Sequence, residues 1–184
     1  MPPTTYRLLT SCGGTAMRLS LLTSLRTGSK TECSRVADRF SPPVLDILRR
    51  AGWFDGRRVA VVPSPGIRLF PKAHEVLAEF GGLRMGKCGA GMECATSDVQ
   101  IEPGLATHLT SELHEAERSL NTRLFPLGEV HRGHGYLIID EYGRTYLLSD
   151  KLSPFAPTFS RCLELLLLGK KANAAELEAA WKSD

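Results

Sequence analysis

A chain of 184 residues with 42% hydrophobic and 23% charged residues has the composition of a globular domain, long enough to bury a core of its own. Its net charge of +3 is unevenly placed, with +4 on residues 1–39 and −1 on the other 145, so the body lacks the basic face that duplex nucleic acid requires. The longest apolar run, residues 163–168 with Glu164 inside it, is far too short to span a bilayer.

Residues 1–39 are rich in Ser, Thr, Arg and small residues, contain no acid before Glu32 and show no sustained period, which predicts a disordered extension. Within them MRLSLLTSL approaches the apolar centre of a signal segment. Arg18, Ser20, Thr23 and Ser24 interrupt it, however, and no convincing cleavage site follows. An upstream extension of the reading frame is the plainer reading.

Ordered patterning begins at Phe40. FSPPVLDILRRAGW predicts a helix with Ser41 as N-cap, prolines in the first turn, Val44, Ile47, Leu48 and Ala51 on one face, and Gly52 as the stop. After a Gly- and Pro-rich bend, a second helix is predicted over 71–80, with Ala73, Val76, Leu77 and Phe80 at helical spacing and Gly81 and Gly82 closing it. Leu83 then returns to the core.

Residues 86–97 hold three glycines and little periodicity, which predicts a loop, followed by a short strand over 97–101. THLTSELHEAERSLN predicts a third helix, started near Thr110 or Ser111, with Leu113, Ala116, Glu117 and Leu120 along one side and Asn121 able to take the left-handed end position. YLIID and RTYLLS read as a hairpin around Glu141, Tyr142 and Gly143, the glycine supplying the positive φ of a three-residue bulged loop. FAPTFSRCLELLLLG predicts an amphipathic helix ended by Gly169, and ANAAELEAAWKSD a short helix docking through Leu177 and Trp181. With no repeats and no Gly-rich phosphate loop, these elements predict a single α+β domain, an antiparallel sheet flanked by helices. Its expected divisions are an extension at 1–39, a domain at 40–171 and a helical tail at 172–184.

Several chemistries compete for the polar residues. Five cysteines, Cys12, Cys33, Cys88, Cys94 and Cys162, form an odd set without a disulfide framework and read as reduced thiols of a cytosolic protein. Cys88, Cys94, His131 and His134 would make a two-thiolate, two-imidazole zinc tetrahedron. Five residues separate the cysteines and only two the histidines, spacings that depart from structural zinc sites, so no metal is assigned. Nor is a nucleophile elbow or other local catalytic signature present. The acids Asp140 and Glu141, and Glu112, Glu115 and Glu117 on the third helix, read as solvated, or as a rim that steers a basic partner. Tyr136, Tyr142 and Tyr146 are the aromatic residues near it that could anchor one.

Five blocks give the chain a resemblance: FSPPVLDILRRAGWFDGRRV at 40–59, FPKAHEVLAEFGGLRM at 70–85, RLFPLGE at 123–129, YLIIDEYGRTYLL at 136–148 and LLLLGKK at 165–171. In order and spacing, over about 130 residues, they resemble the third family of the SUKH superfamily of bacterial immunity proteins. The segment between Val59 and Phe70 is shorter than the family's, which has a further helix there, and residues 1–39 have no counterpart. The resemblance implies a cytoplasmic, non-enzymatic protein without cofactor that binds and neutralises a partner toxin, a nuclease or a deaminase passed between bacteria. A protein-binding regulatory module of the same fold comes second, and a zinc or cysteine enzyme third. Trp53, Phe80, Gly81, Gly82, Pro126, Gly128 and Gly143 have structural roles in the matching blocks. The toxin interface is therefore expected on residues 86–96, on Asp98 and Glu102, and at the hairpin tip, Glu141 and Tyr142.

Overall fold

The structure is a computed structural model in which residues 39–62 and 66–182 are described. The expectations for residues 1–38, including those for Cys12 and Cys33, lie outside the described residues. In chain order the elements are α1 (Pro42–Arg50), α2 (Pro71–Phe80), β1 (Arg84–Ala90), β2 (Ala95–Gln100), a 3-10 segment (Pro103–Leu109), α3 (Thr110–Leu120), β3 (Leu124–Val130), a 3-10 turn (His131–Gly133), β4 (Gly135–Asp140), β5 (Thr145–Leu148), β6 (Leu152–Ala156), α4 (Phe159–Leu168) and α5 (Ala174–Trp181). All six strands join one antiparallel sheet in sequence order, β1 and β6 forming its edges. This is the α+β, sheet-and-helix domain that the pattern predicts.

Helices α1 and α2 start and stop where their punctuation places them. Ser41 is the N-cap of α1 in extended backbone, with proline in the first turn, and Gly52 closes the helix at φ +94°. The Ser41 side chain makes no cap bond. Its N–H donates instead to Glu164 Oε1 at 2.9 Å, which ties the start of α1 to α4. Val44, Leu45 and Leu48 of α1 and Ala73, Leu77, Ala78 and Phe80 of α2 are buried. Trp53 stacks on Phe80 with centroids 6.3 Å apart, Phe40 meets both rings edge-on, and Phe159 lies 5.0 Å from Phe80. Such contacts contribute about 0.5–1.5 kcal/mol each beyond area burial, and they fasten α1, α2 and α4 together.

Three strands lie where the sequence predicts none. The segment read as a glycine loop is the bulged strand β1 and the turn of its hairpin with β2; the register shifts between Gly86 and Gly89. Strand β3, LFPLGEV, carries proline and glycine in a central position. A register shift between Pro126 and Gly128 absorbs the proline, and Gly128 at φ +155° lets the backbone pass where a Cβ would meet Gln100 O. Strand β6 tolerates Pro154 because it is an edge. Consequently α4 begins at Phe159, not Phe155, with the Thr158 side chain accepting from Arg161 N–H as its cap.

Consecutive buried residues at 124–128 and 137–140 mean that both faces of the central strands are covered, so the two alternating sets of β4 are both inside. Helix α3 begins at Thr110, continuing the 3-10 segment, and ends at Asn121 in the left-handed conformation (φ 49°, ψ 40°) as expected. Its apolar side is weaker than its spacing suggests: only Leu113 is buried, and Leu120 is 42% exposed. Among the described residues of 59–70 there is no helix. Val59 N–H donates to Ala78 O, laying that segment along α2.

Candidate functional site

The hairpin loop forms as expected. Asp140 N–H donates to Arg144 O, Gly143 takes φ +94°, and residues 141–143 make the turn. Asp140, however, is not solvated: it is fully buried and accepts from Tyr142 N–H, Arg144 N–H, Arg144 Nε (2.6 Å) and the Tyr146 hydroxyl (3.1 Å). Trp181 Nε1 donates to the Tyr146 oxygen at 3.0 Å, and the Arg144 guanidinium lies 5.3 Å from the Trp181 ring. Helix α5 therefore docks through Trp181, with Leu177 half-buried beside it. Burial and the nearby Asp140 carboxylate push the Tyr146 hydroxyl up to about 12. Of the three tyrosines considered as anchors, Tyr146 is buried, Tyr136 is half-buried against His108, and only Tyr142, 57% exposed, faces outward.

The four expected contact residues do not converge. Glu141 is held in a paired salt bridge with Arg123, Oε2 accepting from Nη2 at 2.6 Å and from Nε at 3.0 Å, and this guanidinium, set against burial, lowers its pKa. Glu102 is exposed at the rim of an apolar cleft between residues 59–62 and Gly81 and Gly82. Asp98 lies on β2 near the start of β4, while Glu141 and Tyr142 follow its end. A strand of that length separates the two groups by roughly 17 Å.

Around Asp98 the backbone is strained. His131 and Arg132 take φ +54° and +58°, each at a cost of about 1–2 kcal/mol for a residue with a Cβ. Two side chains of β2 hold them there. The buried Ser97 hydroxyl accepts from His131 N–H at 2.9 Å, and Asp98 Oδ1 accepts from Arg132 N–H at 3.0 Å. The Cys88 thiol donates to the same Asp98 oxygen at 3.1 Å. Burial would raise the Asp98 pKa, but the thiol, the N–H groups and the Arg132 charge together lower it. An acid moved in that direction is a poor base for activating a thiol at neutral pH.

Cys88 is half-buried on β1, Cys94 is exposed in the turn before β2, and His131 and His134 are exposed. Among the described residues no group of three or more His, Cys, Asp or Glu side chains is gathered as a metal ion would need. Cys162 is fully buried, and burial raises its thiol to about 12.

Residues 86–96, expected as a loop, are a hairpin whose tip is pinned. Met92 N–H donates to Leu168 O, and the N–H groups of Glu93 and Cys94 both donate to Gly169 O, so the hairpin tip caps the last carbonyls of α4. Gly91 makes this fit, because a Cβ there would meet Cys94 O and the Gly169 backbone. Met92 is left 70% exposed on a fixed tip. Beside this hairpin, between α1 and the free edge of β1, runs a groove of about 740 Å³ with Ile47, Ala51 and Leu167 among its apolar residues. Arg50, Arg84 and Lys87 also line it, and no acid does. Sequence reasoning missed these cations because they come from separate elements. The available signal was Arg49 and Arg50 ending an amphipathic helix, with Arg84 and Lys87 flanking the first glycine of β1.

No described helix is long and apolar enough to cross a membrane. No curated protein and no solved structure matches this chain significantly. The sequence pattern of SUKH-3, the SUKH-3 immunity protein, does match, over residues 40–169, a span that begins just ahead of α1 and ends at the Gly169 cap of α4. By that match the chain belongs to the SUKH-3 immunity protein family.

Proposed function

We propose that this protein binds a cognate bacterial toxin in the cytoplasm of its producer and neutralises it by occupying its surface, the toxin being a nuclease or a deaminase. The family match across the helix-and-sheet body carries this reading. The dispersal of the polar groups supports it: Asp140 and Glu141 are held by Arg144 and Arg123 at one end of β4, and Asp98 by a backbone N–H near the other. Such an arrangement suits a rigid binding surface better than a pocket for bond-making. Within it, Glu102 and Tyr142 remain open to a partner, whereas Asp98 and Glu141 act through the turns they hold.

The test is co-expression with the toxin domain encoded beside this chain. A toxin that stops growth of a bacterial host is expected to be silenced, and the two proteins to co-purify as a stoichiometric complex. Undiminished killing, with no complex formed, would refute the reading.

A further inference from the structure

The groove beside β1 is lined by three cations and by no acid, and Arg84 also borders a neighbouring hollow that holds Asp98 and Glu129. Among the described residues Arg50 and Lys87 have no acidic partner, and Arg84 is bonded to the neutral Gln100 side chain. Among the described residues no strand pairs with β1 on its outer side, so its backbone edge borders the same space over about 20 Å. We propose that this edge is where the partner docks, by laying an acidic extended segment along β1 with its acids on Arg50, Arg84 and Lys87. The inference rests on the toxin-binding reading and names the chemistry of the contact.

One principle and two observations select this occupant. A strand added to a sheet edge gains main-chain hydrogen bonds, while the charges beside it choose the sequence. A second copy of this edge is disfavoured, because it would bring its own Arg84 and Lys87 against these. Gly89, finally, is not required by its own fold. A Cβ there would come no closer than 3.7 Å to any neighbour, that atom being the Thr96 hydroxyl, and Thr96 lines the groove too. The missing side chain leaves the floor open for an approaching backbone.

The probe is a peptide of about eight residues alternating Glu and Thr, titrated at low salt into the full chain with backbone-amide NMR as the readout. Shifts are expected on β1 and on the last turn of α1. Binding should weaken roughly tenfold in the Arg50→Glu, Lys87→Glu double variant, and comparably in Gly89→Leu, which fills the groove without changing charge. Circular dichroism establishes that each variant is folded. Shifts elsewhere, no shifts, an equal response to an alternating Lys and Thr peptide, or undiminished binding by folded variants would each overturn the proposal. Stronger binding of a single-stranded oligonucleotide at the same residues would overturn it in favour of a nucleic-acid site. In the co-expression assay, full protection by Lys87→Glu and Gly89→Leu would remove the groove and leave the toxin reading standing. A wild-type chain that protects against nothing removes the toxin reading, and the peptide result then judges the groove alone.

Discussion

Two neighbouring carboxylates in one hairpin loop show how far side-chain identity underdetermines energetics. Asp140 and Glu141 are adjacent, and each bonds an arginine at 2.6 Å, yet Asp140 is fully buried and the Glu141 side chain keeps 27% exposure. Removing one partner of a buried, hydrogen-bonded pair leaves an uncompensated charge inside, so Asp140→Ala is expected to lower folding stability by about 3–5 kcal/mol in urea denaturation. An exposed pair is screened by water, and Glu141→Ala is expected to cost about 1 kcal/mol or less. Equal losses at the two positions would contradict the burial described. Asp140 also orients Tyr146 for Trp181, so its loss is expected to release α5 as well.

At the scale of the element, the weakest joint of the sheet is the one between β2 and β3, where only Val99 with Val130 and Gln100 with Glu129 pair. Gly128 makes the joint possible, since any Cβ at this position would collide with Gln100 O and crowd Glu102 N–H. Gly128→Ala is therefore expected to destabilise by roughly 2–4 kcal/mol. Protection in hydrogen exchange should be lost first in the β1–β2 hairpin and the 3-10 turn, because Ser97 and Asp98 hold that turn from β2. A melting temperature unchanged by this substitution would rule out the close approach. The three strands that escaped the sequence reading share one cause. β1, β3 and β6 each contain glycine or proline, which local propensity scores against a strand, while a bulge or an edge position makes them harmless.

Over the whole molecule, the acids Asp98, Glu141 and Glu164 tie distant elements together, and each has its pKa lowered. For Glu164, burial works against ionisation, but the Ser41 N–H and the Lys170 ammonium outweigh it. A depressed folded-state value means the unfolded chain takes up protons first. The stabilisation is complete above the ordinary carboxylate range and is lost as pH falls through the lowered values. The urea midpoint is accordingly expected to be flat from about pH 7 to 5 and to drop steeply below about pH 4.5. Glu164→Gln, which keeps an oxygen for the Ser41 N–H but loses the titrating charge and its pairing with Lys170, should make that acid limb shallower. A midpoint independent of pH down to about pH 3 would show that these tethers do not contribute.

The order of α1, α2, α3 and the β4–β5 hairpin is written locally, in Ser41 and its prolines, in the apolar spacing of 71–80, and in the left-handed positions of Asn121 and Gly143. Steric preferences of single residues act over one or two turns and need no partner to be legible. The blocks that mark the family are legible for the same reason. Packing alone determined the rest. It buried Asp140, turned the glycine-rich segment into an edge strand fastened to the end of α4, kept Asp98 and Glu141 apart, and brought Arg50, Arg84 and Lys87 to one groove. Burial, edge position and the meeting of charges are properties of residues far apart in the chain, and they come into being only when the sheet and its helices close on one another.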